Sequence, residues 1–229
     1  MEQIFTVPRA DFFDGAWPQG FVSLSAEEAS SFERRCEELG RFEDRDPAEE
    51  DPSRKQPIPY CALRRGEELF TMQRLAKGSE SRLRGRASIG VGGHIDAEDG
   101  PKSGCLRRGL LREVREEVEI SPSSAIADDT IQKARLIGLI NDDRSPVGRV
   151  HIGFAFLLEL PSHAEVHVRE TEKMSGGFER LVGSDTLWQD SLTFESWSQV
   201  FLDVIRGTAE TSIEFPSSDS PPTTNRKEL

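Results

Sequence analysis

The sequence predicts an α/β fold, because segments with strand periodicity and segments with helix periodicity both occur along the chain. Two apolar runs, Ile58–Arg64 and Glu68–Arg74, flank the polar residues 65–67 and are typical of a β-hairpin. Two other segments, starting near Ser25 and near Gly104, repeat apolar residues three and four positions apart, which is typical of helices. The 229 residues are enough to bury a core, although only 35% of them are hydrophobic.

Residues 1–56, called the N-terminal segment below, are predicted to add a strand and a helix to the main domain. Ile4–Val7 is the strand candidate, and Ser25 and Glu28 have the spacing of a helix capping box. An apolar stripe follows before Gly40 and comprises Ala29, Phe32, Cys36 and Leu39. Residues 43–56 are charged and interrupted by two prolines, so we interpret them as a linker. We expect the stripe to pack on the core, and a homodimer through the same stripe is the alternative.

The remaining elements are predicted in order along residues 57–206, the expected main domain. A polar loop, Leu75 to Arg86, precedes a strand that ends at Gly92 and Gly93. A helix over residues 104–118 follows, and later elements are strands at 134–140 and 150–160 and a helix at 194–205. Residues 207–229 lack the apolar side chains of a core, and we expect them to be disordered.

Composition limits the partners of this chain. Asp and Glu outnumber Lys and Arg by 41 to 29, which argues against general binding of nucleic acid or of an anionic membrane. No stretch approaches 18 apolar residues, and the first twenty residues do not have the pattern of a signal peptide. The three cysteines lack C-x-x-C spacing, so we expect reduced thiols and a cytoplasmic location.

Three glutamates, Glu113, Glu116 and Glu117, share one turn of the helix predicted over residues 104–118. Residues three and four apart face the same side of a helix, so these carboxylates could together bind a hard cation such as Mg²⁺. The alternative is a solvated helix face, in which Arg112 and its neighbours pair with glutamates four residues away. The glycine pair upstream favours the first interpretation, because glycine lets the backbone approach a ligand closely.

The stretch REVREEVEI, residues 112–120, resembles the end of the Nudix box, the signature G-x5-E-x7-R-E-U-x-E-E-x-G-U of the Nudix hydrolases. The runs RLRGRASIGVGGHID and GLINDDRSPVGRVHIG resemble a Nudix subgroup of predicted phosphoesterases. The residues that match the box are Gly93, Arg112, Glu113, Val114, Glu116, Glu117 and Ile120.

The chain departs from the box at three points. Gly93 and Arg112 are separated by 18 residues rather than 13, and we place the extra residues in the loop Ala97–Ser103. Counted back from Arg112, the first box glutamate falls at Gly104, so we expect Glu98 or Asp99 to replace it. The late box glycine is Glu119, so we expect the helix to end differently, near residues 121–122. Because Pro101 disfavours helix in the residue before it, we expect the longer loop to add no helical turn.

The resemblance implies a mixed β-sheet sandwiched between helices and a metal-dependent hydrolysis of phosphorylated small molecules. Glu113, Glu116 and Glu117 would bind Mg²⁺, with Mn²⁺ as the alternative cation, and Glu113 and Glu116 would be the catalytic pair. Arg112 would orient the glutamates. Glu170 or Glu172, after the strand-like EVHV, would supply a base.

Several residues have weaker predicted roles. His94, His151 and Arg74 are candidates for lining the pocket, although a structural role is open for each.

The sequence is compatible with three functions. The first is a magnesium-dependent pyrophosphohydrolase. The second is a Nudix-fold module that binds a nucleotide without cleaving it, motivated by Gly104 at the glutamate position. The third, an isomerase of isoprenyl diphosphates, would need a cysteine and further histidines near the site.

Overall fold

The computed structural model describes residues 2–15, 18–75, 86–122, 128–180 and 193–207. The first half of the chain forms β1 Gln3–Pro8, α1 Arg9–Phe12, β2 Gly20–Ser23, α2 Ala26–Leu39, β3 Arg41–Asp44, α3 Arg45–Ala48, β4 Arg54–Arg65, β5 Glu68–Arg74, β6 Arg86–Ser88 and β7 Gly90–Val91. The second half forms α4 Cys105–Glu117, β8 Val118–Ser121, α5 Asp128–Gln132, β9 Arg135–Asn141, α6 Pro146–Val150, β10 His151–Glu159, β11 Glu165–Val168, β12 Met174–Arg180, β13 Thr193–Phe194 and α7 Ser196–Ile205.

A large mixed sheet forms the centre of the protein, with strand order β13-β6-β5-β4-β10-β9-β2. Strand β10 is parallel to β4 and antiparallel to β9, so the sheet is mixed at its middle. Strand β7 pairs with β4, β12 pairs with β5, and β1 pairs with both β3 and β4. A separate two-stranded sheet joins β8 to β11.

The two faces of the large sheet are covered by different helices. Along β4, Cys61 and Leu63 belong to the hydrophobic cluster that contains buried residues of α2 and α4. Their neighbours Tyr60 and Ala62 belong to the opposite cluster, which contains Phe201 of α7. This alternation follows from the two-residue period of a strand and confirms the mixed sheet between helices. No helix among the described residues is long and apolar enough to cross a membrane.

The N-terminal segment shares the core of the rest of the chain. Its helix α2 begins at Ser25 with the expected capping box, and its strand β2 pairs with β9 of the large sheet. Phe5 and Phe12 are almost fully buried in the same cluster as α4. The interpretation of residues 43–56 as a linker is wrong, because α3 lies within them and β4 begins at Arg54. The boundary at residue 56 between the N-terminal segment and the main domain stays a prediction. Strand β4 runs across that position.

Other elements differ from the predictions where non-local pairing decides the structure. Helix α4 ends at Glu117 rather than near residues 121–122, because Val118–Ser121 pair with Glu165–Val168 in a strand. The polar segment before β10 contains α6, whose N-terminus is capped by the Ser145 hydroxyl. Strand β12 was not predicted. The expected disorder after residue 207 and most of the loop Leu75–Arg86 lie outside the described residues.

All three cysteines are buried in the described core, and none forms a disulfide. Cys36 lies on α2, Cys61 on β4 and Cys105 on α4. Burial raises the pKa of Cys61 and that of Cys105 to about 12. These thiols are therefore protonated members of the core and not nucleophiles.

Candidate active site

The glycine pair lies where β7 leaves the sheet and approaches α4. A Cβ atom added to Gly93 would stand 2.6 Å from the carboxylate of Glu113, and one added to Gly92 would stand 2.0 Å from the carbonyl oxygen of Pro59. Both distances are shorter than any normal contact, so a side chain at either position would force a shift. The glycines therefore let the backbone pass directly beside the Glu113 carboxylate.

Arg112 connects this backbone to the glutamates. Its Nη1 donates to Glu113 Oε1 at 2.7 Å and to Glu116 Oε2 at 3.2 Å. Its Nη2 donates to the His94 carbonyl oxygen at 2.7 Å, which ties α4 to the loop after Gly93. Its remaining donors reach Asp99. Arg112 thus makes the contacts to the glutamates that a residue orienting them requires.

Of the two acids expected to replace the box glutamate, Asp99 contacts Arg112, and the replacement itself stays a prediction. Its carboxylate accepts from Arg112 Nε and Nη2, both at 3.0 Å, and its side chain is 4% exposed, whereas Glu98 is exposed. The box places its first glutamate after five intervening residues, and in this chain residues 94–98 separate Gly93 from position 99, so this spacing was the signal that could have found Asp99. The extra residues of the chain therefore follow Asp99.

The loop after Gly93 contains one helical turn that the sequence analysis did not expect. Residues Ala97–Asp99 form a turn of 3-10 helix, so the expectation of no added turn is wrong for these residues. The turn is stabilised at its start because the backbone N–H of Asp96 donates to Asp99 Oδ2 at 2.9 Å. Residues 100–104 form the loop that leads to α4. Gly109 of α4 leaves room for this turn, since a Cβ there would lie 3.2 Å from Asp99 Oδ2.

Glu113 and Glu117 lie one helical turn apart in half-buried surroundings with excess negative charge. Burial raises the pKa of Glu113, although the hydrogen bond from Arg112 opposes this effect. Burial also raises the pKa of Glu117 to about 8, and the charges of Glu113, Glu195 and Glu170 add to the shift while Arg74 reduces it. Within the described part of the chain, the structure records no hydrogen bond or ion pair to the Glu117 carboxylate.

These features fit a hard divalent cation. A cation beside Glu113 and Glu117 would offset their repulsion, and carboxylate oxygens are the ligands that Mg²⁺ and Mn²⁺ prefer. The side chain of Glu116 is 59% exposed and pairs with Arg112. In the described residues, Glu113, Glu116 and Glu117 do not bring one oxygen each within 4.8 Å of one another. The assignment of all three as ligands stays a prediction, with Glu113 and Glu117 as its best-placed members.

Among the remaining predicted site residues, Glu170 and Arg74 influence the charge of Glu117, and within the described residues Glu172 does not. Glu170 is exposed and pairs with Lys173 at 3.0 Å, and its charge acts on Glu117. Glu172 is exposed, and nothing in the described structure links it to the α4 glutamates. Arg74 Nε lies 3.7 Å from Oε1 of Glu195, the residue that precedes α7. Sequence reasoning missed Glu195, which has no motif around it.

His94, which directly follows Gly93, lies against His151. Their Nε2 atoms are 3.1 Å apart, and His94 Nε2 is also 2.7 Å from Gln56 Oε1. His151 and Gln56 are register partners in the parallel pair of β10 and β4. Burial lowers the pKa of His94 to about 3 and also lowers the pKa of His151, so both imidazoles are neutral at pH 7. One carboxylate, Glu49, lies close enough to complete a group of three ligands with them.

Comparisons with known proteins identify relatives that match most of the chain. No family model matches the chain. The protein YmaB of Bacillus subtilis (strain 168) is 37% identical over 213 residues, which span 89% of this chain and 97% of YmaB. The crystal structure of Tm1382, a protein proposed to be a Nudix hydrolase, is 29% identical and superposes with a TM-score of 0.70, covering 90% of this chain and 99% of Tm1382. With the Nudix box arranged around Arg112 and the mixed sheet between helices, the chain belongs to the Nudix hydrolase superfamily.

Proposed function

We propose that this protein is a magnesium-dependent hydrolase that cleaves a pyrophosphate bond in a nucleoside diphosphate derivative or a related compound. The observation that carries the proposal is the pair Glu113 and Glu117, half-buried one helical turn apart, with Glu113 beside Gly93. Burial, to which the charges of Glu113, Glu195 and Glu170 add, raises the pKa of Glu117 to about 8, and a bound divalent cation would favour its ionised form. Bound magnesium would neutralise charge on the phosphate oxygens while water attacks phosphorus.

The protein's own residues have distinct parts in this reaction. Glu113 and Glu117 bind the cation, and Arg112 keeps Glu113 in position through its hydrogen bond of 2.7 Å. Gly93 lets the backbone pass beside Glu113, because a Cβ atom there would stand 2.6 Å from the carboxylate. Glu170 accepts a proton from the attacking water, since its charge already acts on Glu117 from the neighbouring loop.

No specific observation favours the other two functions. The binding module was motivated by the absence of a glutamate at Gly104, and the contact of Asp99 with Arg112 supports an acidic replacement for it. The isomerase requires an accessible thiol near the site. Cys61 and Cys105 are fully buried, so neither can reach a substrate.

The proposal is tested by measuring phosphate or nucleotide release from a panel of nucleoside triphosphates, nucleoside diphosphate sugars and dinucleoside polyphosphates, with and without Mg²⁺. The double variant Glu113→Gln and Glu117→Gln should fold and should lose at least ~10²-fold in turnover, because metal-ion catalysis supplies several kcal/mol. The control is Glu119→Gln, an exposed glutamate just beyond α4. Near-normal turnover in the double variant would remove these residues from the site. Binding of a panel member without any turnover would favour the binding module.

A further inference from the structure

A cluster of two histidines and one glutamate lies beside the glycine loop and contains none of the α4 glutamates. We propose that Glu49, His94 and His151 form a second metal site, which binds a first-row transition ion such as Zn²⁺. Each of the three residues offers one ligand atom, and the three atoms lie within 4.8 Å of one another. Among the residues that the structure describes, this is the one group of three potential ligands at that spacing.

The two imidazoles already have nearly the spacing of ligands on one ion. His94 Nε2 and His151 Nε2 are 3.1 Å apart. Two nitrogens at about 2.0–2.1 Å from a tetrahedral Zn²⁺ are about 3.3–3.4 Å apart. The nitrogens therefore need to separate by only a few tenths of an ångström to accept the ion between them.

The partners of these histidines determine which nitrogen of each ring carries the hydrogen. His151 Nδ1 lies 2.7 Å from the carbonyl oxygen of Val147, so Nδ1 carries the hydrogen and Nε2 presents a lone pair. A backbone carbonyl on the second ring nitrogen is the usual support of a metal-binding histidine. Gln56 Nε2 donates to the Ala48 carbonyl oxygen at 3.0 Å, so Gln56 Oε1 faces His94 and accepts from His94 Nε2, which carries the hydrogen when no ion is bound. Binding of the ion would shift that hydrogen to His94 Nδ1 and replace the bond to Gln56.

The donor chemistry distinguishes this cluster from the α4 site. Imidazole nitrogens suit zinc, copper, iron and nickel, whereas Mg²⁺ takes oxygen ligands and retains several waters. Glu49 supplies the carboxylate of the set. Its Oε1 accepts from Arg45 Nε at 3.2 Å, and its other oxygen is not part of that pair.

The three ligands come from three separate parts of the chain. Glu49 directly follows α3 in the N-terminal segment, His94 directly follows the glycine pair, and His151 is the first residue of β10. A bound ion would therefore connect the N-terminal segment to the loop that runs beside Glu113. The carbonyl of His94 accepts from Arg112, so the ion would also restrict the loop on which Arg112 depends.

The test is titration of the chelator-treated full-length protein with Co²⁺ and Zn²⁺. Visible Co²⁺ absorption and calorimetry report stoichiometry and affinity, and the melting temperature reports coupling to the fold. We expect one equivalent to bind and to raise the melting temperature, with Mg²⁺ unable to compete. His94→Gln, His151→Gln and Glu49→Ala should each weaken binding at least ~10-fold, the smallest loss expected when a metal's surroundings are altered.

Two controls separate this site from other modes of binding. His167→Gln removes an exposed histidine far along the chain and should leave the titration unchanged. The double variant at Glu113 and Glu117 should also retain it, even when hydrolysis is lost. Binding that survives in His94→Gln and His151→Gln, or that disappears in the double variant, would overturn the proposal. If either histidine variant fails to fold, the exposed Glu49→Ala decides the matter, and unchanged affinity there would overturn it as well.

Discussion

Replacing Asp99 by asparagine should destabilise the protein and weaken its activation by magnesium. The Asp99 carboxylate accepts three hydrogen bonds, two from Arg112 at 3.0 Å and one from the backbone N–H of Asp96 at 2.9 Å. Asparagine has the same shape, but an amide NH2 group replaces one carboxylate oxygen. This group cannot accept a hydrogen bond from a guanidinium. At least one charge-assisted hydrogen bond is therefore lost at a position whose side chain is 4% exposed.

The expected loss is about 2 kcal/mol, within the range for a hydrogen bond to a charged group. A larger loss, as for a fully uncompensated buried charge, is not expected, because Arg112 retains its contacts with Glu113 and Glu116. For a domain of this size the change corresponds to a melting temperature lower by roughly 4–8 °C. The magnesium concentration for half-maximal activity should rise, because Arg112 would orient Glu113 less firmly.

The assay compares thermal melts and magnesium titrations of Asp99→Asn with those of Glu98→Gln. Glu98 is the adjacent residue and is exposed, so its variant should melt within the error of the wild type. If the two variants melt at the same temperature, Asp99 does not support Arg112, and the assignment of the box glutamate position to Asp99 is wrong.

Gly93→Ala should lower kcat/KM by about 100-fold, because its Cβ would stand 2.6 Å from the Glu113 carboxylate and a shift of about 1 Å in a site can cost that much. Gly177→Ala, whose Cβ would meet no atom within 4 Å, should behave as the wild type, and equal activity of the two variants would contradict the geometry. Glu170→Gln should lower kcat by about 10²–10⁴-fold, the usual contribution of a general base, and Glu172→Gln should not. The base assignment fails if the two glutamine variants have the same kcat and pH profile. Deletion of the N-terminal segment should lower the melting temperature or change the hydrodynamic size, because buried phenylalanines of the segment lie in the common core. A truncated protein of unchanged stability and size would show that the segment is an independent appendage.

Elements defined by local signals could be predicted from the sequence, and elements defined by distant partners could not. The capping box at Ser25 and the apolar stripes of α2 and α4 are local, and both helices form as expected. Strand β8 follows α4 without an intervening turn residue, so only its pairing with β11 reveals it. Strand β12 contains Gly176 and Gly177, which weaken any strand pattern, and its pairing with β5 is again non-local.

The residues of the candidate site also divide into those with a local sequence signal and those without one. Gly93, Arg112 and the α4 glutamates have fixed spacings, and a motif can therefore identify them. Glu195 and Glu49 are single acidic residues among 41, with no neighbouring pattern to distinguish them. Their positions depend on how distant segments are brought together, which spacing along the chain does not encode. Asp99 is intermediate, because counting from Gly93 finds it and counting from Arg112 does not.

The reactivity of the buried cysteines can report local unfolding of the protein. A thiol reacts as the thiolate, so Cys36, Cys61 and Cys105 should resist alkylation until the surrounding structure opens. Cys36 and Cys105 lie close enough to influence each other electrostatically, across the contact between α2 and α4, whereas Cys61 lies within the central sheet. Alkylation of the first two before Cys61 would record separation of the N-terminal segment from α4, and simultaneous alkylation of all three would record global unfolding. Mass spectrometry of the wild-type chain can thus follow the motion of the segment without any engineered label.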